Sequence, residues 1–205
     1  GALGQNNPSD QLFIAQLETI LSNNAAIVVA DRLAHSSGLS GTVASPQAIA
    51  SWPALPRYTS GVGVMMALEI YTIIGTTAQT ITVEYTNQAG TTGRTSPAVA
   101  FGGTGDREAS RFVMVPLQLV DTGVKAVAGV TLSGSTGTAG DFGVTLFKPL
   151  FVVPGVSGAI STITRNGLFG GDVPEVIDDA ALFFLARSAS TGTGTLQGTI
   201  TLIEA

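Results

Sequence analysis

Gln79-Thr80-Ile81-Thr82-Val83-Glu84-Tyr85-Thr86 is the stretch on which the fold is read. Ile81, Val83 and Tyr85 fall on one side of an extended chain, and Thr80, Thr82, Glu84 and Thr86 on the other. A period of two, apolar against Thr-rich, is the pattern of a half-buried antiparallel strand. Asn87-Gln88-Ala89-Gly90 follows and suits a hairpin loop, since Asn and Gly both tolerate positive φ. Upstream, Val62 to Ile74 reads as a strand ended by the turn Gly75-Thr76-Thr77; downstream, Thr91 to Phe101 reads as a third. The expectation for residues 58–101 is therefore a three-stranded meander.

Working outward, Ala26 to Leu33, Arg111 to Leu119, Val124 to Ser133, Phe142 to Leu146, Ala159 to Thr164, Ala180 to Arg187 and Thr195 to Glu204 read as further strands. The last two are expected to pair as a hairpin. Pro116 places its strand at a sheet edge or a bulge. About nine or ten strands suffice for two packed sheets. No helices alternate with them, which argues against a parallel α/β fold. The exception lies near the start. Pro8-Ser9-Asp10 offers a cap, and Phe13, Ile14, Leu17, Ile20 and Leu21 recur at helical spacing, with Asn23-Asn24 as the stop. The expected organisation is an N-terminal arm and short helix over 1–24 and a single antiparallel β-sandwich domain over 25–205.

The chain of 205 residues is 11% charged, with a net charge of −5 and no cysteine. One domain of this size buries enough surface to need no disulfide or metal staple. Nine scattered Lys and Arg give no basic footprint, so nucleic acid is not an expected partner. The mean hydropathy is +0.40, yet no apolar run is long enough to span a bilayer. No membrane partner is expected. Few charges with many Gly and Thr suit a subunit that hides apolar surface against other proteins. The Phe13/Leu17/Ile20 stripe, which either packs on its own sandwich or crosses to a neighbouring subunit, and Trp52, set between Ser51 and Pro53, are the candidate partner contacts. Trp52 also reads as a plug for the end of the core.

Leu119-Val120-Asp121-Thr122-Gly123 is the sharpest catalytic lookalike. Homodimeric aspartic proteases place Asp-Thr-Gly after two apolar residues, and their paired carboxylates share a proton. The same residues also make a β-turn, and Val124-Lys125 departs from the small residue that usually follows the motif. His35 is the single histidine, which excludes poly-His zinc sites. No Gly-x-Ser-x-Gly elbow accompanies it. Asp172, Glu175, Asp178 and Asp179 crowd one loop but match no EF-hand spacing. Glu69 and Glu84, taken as lying on adjacent strands, are expected to oppose Arg94 or Arg111. No catalytic residue, cofactor or metal site is expected.

Several of these segments carry a resemblance. They are Asp31-Arg32-Leu33, Gly38-Leu39-Ser40-Gly41, the run from Arg57 to Val64, Leu68-Glu69-Ile70-Tyr71 and the run from Val83 to Thr95, then Asp121-Thr122-Gly123-Val124 and the run from Gly137 to Leu146. Together, over residues 27 to 150, they resemble structural proteins encoded among the head genes of tailed bacteriophages. The resemblance implies a jelly-roll-like β-sandwich serving as a capsid decoration or cement protein. It implies a homotrimer on the outer surface of the virion head, with the major capsid protein as partner and Asp121-Thr122-Gly123 as a turn. A tail, adaptor or host-attachment module of the same virion is the alternative function, and a homodimeric protease using Asp121 the remote one.

Overall fold

The computed structural model describes residues 11–164, 174–188 and 194–204. Among them the chain is all-β, in antiparallel sheets, as a β-sandwich requires. The strands are β1 (Leu12–Leu21), β2 (Ala25–His35), β3 (Gln47–Ala48), β4 (Met65–Thr72), β5 (Gln79–Asn87), β6 (Arg94–Thr95) and β7 (Val99–Phe101). They continue with β8 (Phe112–Val115), β9 (Val124–Leu132), β10 (Asp141–Gly155), β11 (Ile160–Thr164), β12 (Glu175–Val176), β13 (Leu182–Ser188) and β14 (Leu196–Glu204). Contacts group the chain into two compact units, residues 32–148 and residues 1–31 with 149–205. These boundaries fall inside β2 and β10, whereas the sequence suggested a division after residue 24.

In the 32–148 unit, β4 lies between β10 and β8, while β5 pairs with β9 on one edge and with β6 and β7 on the other. The alternation in β5 is what the sequence dictates. Ile81, Val83 and Tyr85 are fully buried. They join Leu68, Ile70, Phe142, Val144, Val130 and Leu132 in one core between the two sheets. Phe101 and Phe142 meet there at 4.7 Å between ring centroids. Each buried side chain of this size contributes about 1.5–3 kcal/mol, so the interior needs no covalent support.

The meander expected over residues 58–101 is not what forms. β4 and β5 belong to different sheets, so residues 73–78 pass from one sheet to the other instead of closing a hairpin. Gly75 makes the crossing possible. Its amide donates to the buried Thr136 Oγ1 at 3.1 Å, and a Cβ at Gly75 would fall on the Thr136 carbonyl. The second turn is a hairpin. Asn87 Oδ1 accepts from Ala89 N and Thr91 N, and Gly90 takes φ +83°. β8 stops before Pro116 at the free side of β4, the edge position that Pro favours.

In the other unit, β14 pairs along the whole of β1, and β11 and β12 share β1's opposite edge. β13 pairs with β2. Ile14, Leu17, Leu21, Ile27, Val29, Phe151 and Val153 form the core. Two expectations fail here. Residues 12–21 are a strand, and no helix is found among the described residues; the proposed cap at Ser9 and Asp10 lies outside them. β13 and β14 do not form a hairpin but pair into different sheets. The apparent helical spacing has a physical source. A bulge between Ile14 and Gln16 inserts one residue into β1, so the buried face passes from Ile14 to Leu17, Thr19 and Leu21. One extra residue in a period of two yields spacings of three and four, which is also the signature of a helix.

Candidate interaction site

Asp121 is the centre of a polar cluster, and its chemistry follows from its donors. Tyr85 Oη donates to Asp121 Oδ2 at 2.6 Å, Arg94 Nε to the same oxygen at 2.9 Å, and Asn87 Nδ2 to Oδ1 at 2.8 Å. The strand β5 supplies Tyr85 and Asn87, and the hairpin return supplies Arg94. Bonds from the Tyr85 hydroxyl first, then from Asn87 and Arg94, hold the carboxyl below its usual range, against the opposing effect of desolvation. Burial and the bond to Asp121 raise the Tyr85 phenol. A carboxylate held ionised by three donors on its own chain is poorly suited to share a proton with a second carboxylate.

What the cluster does hold is the turn before it. Asp121 N donates to Gln118 O at 3.1 Å, closing a turn over residues 118–121. Gln118 N donates to Tyr85 Oη at 2.9 Å, and Gln118 Nε2 to Thr95 O at 2.7 Å. Thr122 N donates to Gln88 Oε1 at 3.0 Å. Both ends of the turn are thus pinned to the β5 hairpin. At its tip Leu119 is 91% exposed and Val120 81% exposed. Val120 sits at φ +73°, the sign that the third position of a type II turn demands and that normally selects Gly or Asn. A β-branched residue at that angle is strained, and such strain persists where the surroundings over-determine it.

Beside the tip lies a cleft of about 380 Å³, lined by residues 63–65 and 115–122. Met65 on its wall is 40% exposed, and Val62 next to it 51%. Lys148 Nζ reaches the Val62 carbonyl at 3.1 Å and lies 5.5 Å from the Tyr58 ring centre, so its charge is already directed inward. The surface is an apolar projection next to an apolar hollow, with its ionised groups turned to the protein.

Glu69 organises a second cluster in the same unit. It accepts from Arg32, from Thr145 Oγ1 at 2.5 Å and from Tyr71 Oη at 3.1 Å. Its partner is therefore Arg32, while Arg94 pairs with Asp121 and Arg111 with Asp106. Burial and Glu69 push the Tyr71 phenol up to about 12. His35 Nδ1 lies 3.3 Å from Tyr71 Oη, and desolvation, with Arg32 next, lowers its pKa. This cluster ties β2, β4 and β10 together.

The candidate contacts taken from the sequence are placed as follows. Leu17 is buried in its unit's core, Phe13 is half-buried and Ile20 is 41% exposed. Trp52 packs half-buried against the core of the 32–148 unit, its Nε1 buried without a partner. Asp172 lies outside the described residues, and among those no group of three acids or histidines could hold a metal. In the sequence Leu119 and Val120 stand out only as the apolar pair ahead of Asp121-Thr122-Gly123, not as contact residues. Comparison with family models, with curated proteins and with solved structures finds no match for this chain.

Proposed function

We propose that the chain is a virion structural subunit, a decoration or cement protein that binds the outer capsid lattice of a tailed-phage head and works by contact alone. The observation that carries the contact reading is the Leu119–Val120 tip, which is apolar, strained, exposed and pinned at both ends. A rigid anchor loses little freedom on binding, so its burial converts efficiently into affinity. Low surface charge and a sheet scaffold support the same reading. The link to a phage head rests on the resemblance over residues 27 to 150, which also suggests a jelly-roll-like connectivity and a homotrimer. In that setting the partner is the major capsid protein, and repetition over the lattice multiplies modest contacts.

The test is cosedimentation with empty capsids, together with gel filtration. Wild-type protein should pellet with capsids, and the double variant Leu119→Ser/Val120→Ser should keep its fold and lose most of that binding. A monomer that ignores capsids would overturn the proposal. Equal binding by wild type and variant would instead remove the tip as the anchor. Detection of the protein at the tail of purified particles would move the same surface to an adaptor role.

A further inference from the structure

A separate cleft of about 290 Å³ opens within the unit formed by residues 1–31 and 149–205. Its walls are Leu17 and Thr19 of β1, Phe184 of β13, and Leu196, Gly198 and Ile200 of β14. The lining strands come from two sheets, β1 and β14 from one and β13 from the other. Gly198 stands opposite Thr19 in the register, and a Cβ at Gly198 would strike the Glu18 carbonyl. The bare backbone at that position lets β14 approach β1 closely beside Thr19. Phe184 and Leu196, each 37% exposed, form its mouth.

The wall has one anomaly. Thr19 is 1% exposed, and its Oγ1 is buried with no hydrogen-bond partner. Buried hydroxyls are almost always satisfied, so an orphan facing an apolar hollow calls for a partner. Water fills this role poorly, since a buried water needs two to four polar contacts and the other lining side chains are apolar. A ligand with a hydrocarbon body and a single polar atom meets both demands. No charged side chain among the described residues lines the cleft, so an ionised head would be left unpaired. The volume stands at the small end of the range of about 300–1,000 Å³ typical of ligand sites.

We infer that this cleft binds a small uncharged amphiphile, an alcohol or ester with a short hydrocarbon chain, whose oxygen bonds to Thr19 Oγ1. The site is independent of the Leu119–Val120 tip and of the capsid reading.

The experiment titrates the whole protein with 1-hexanol, n-hexane and hexanoate, following the methyl NMR signals of Leu17, Thr19, Leu196 and Ile200. Hexanol should move these signals and bind about tenfold more tightly than hexane, the factor one added hydrogen bond supplies. Hexanoate should bind more weakly than hexanol. Thr19→Val, which keeps the side chain's shape, should bind hexane as wild type does and lose the preference for hexanol. Leu196→Trp should block all three probes from the mouth side. The inference is overturned if no probe moves these methyls, if hexanoate binds best, or if Thr19→Val retains the preference. Undiminished binding by Leu196→Trp overturns it as well.

Discussion

Replacing Val120 by Asn should make the protein more stable and a worse binder. Val120 is held at φ +73°, a region that costs an L-residue about 1–2 kcal/mol. Asn occupies it readily because its short side chain bonds locally. The lost burial is small. Val120 is 81% exposed, so only about a fifth of the roughly 1.5 kcal/mol for full burial is at stake, near 0.3 kcal/mol. The net gain is about 1 kcal/mol, which for a chain of this length raises the thermal midpoint by about 2–4 °C. Val120→Gly is the control. It gains the same relief but loses about 0.5–1 kcal/mol to the added freedom of the unfolded chain, and so should melt near wild type. Calorimetry gives the midpoints, and capsid cosedimentation gives the affinity, which should fall in both variants. If Val120→Asn melts at or below wild type, the turn is not strained and the reasoning from its geometry fails.

Glu69→Gln leaves Arg32, Tyr71 and Thr145 facing an amide in a largely buried site. It should cost about 2 kcal/mol, read as a lower urea midpoint at unchanged slope. Gly75→Ala should be more severe, because the new methyl would fall on the Thr136 backbone where the chain crosses between sheets; a loss of several kcal/mol or failure to fold is expected. Acid should act in two windows. His35 has a folded pKa below its ordinary value of 6.5, so the unfolded chain binds its proton first and stability falls as pH drops below that value. His35→Gln should flatten this part of the midpoint-versus-pH curve. Asp121 is likewise depressed from 3.8, so its contribution persists above that pH and is lost as pH falls through the folded value. Asp121→Asn should remove only that lower window.

The parts of the fold that were legible from sequence are those where one rule acts alone. In β5 nothing interrupts the pleat, so Ile81, Val83 and Tyr85 declared their burial by spacing. β1 obeys the same rule, but its bulge shifts the phase, and Ile14, Leu17 and Leu21 then imitate a helix. Pairing was less legible than strand position. Gly75-Thr76-Thr77 has hairpin composition, and only the close approach to Thr136 shows that it crosses between sheets. Asp121 stood out as a motif, yet its role depends on Tyr85, Asn87 and Arg94, which reach it through the hairpin fold. Leu119 and Val120 were legible only as the apolar pair ahead of Asp-Thr-Gly; their exposure at a turn was not, because an apolar pair in a strained turn contradicts the local preferences by which turns are recognised.

The pairing of Leu12 with Glu204 also orders events in time. Residues 32–148 form a contiguous stretch that can complete its own interior while translation continues. β1 leaves the ribosome earlier, yet its full-length neighbour β14 is made only after that whole stretch. Until then a greasy ribbon with free amides and carbonyls waits for its mate, open to capture by any other nascent chain. Slowing synthesis between β10 and β14 should therefore lower the yield of folded protein without changing the product's stability.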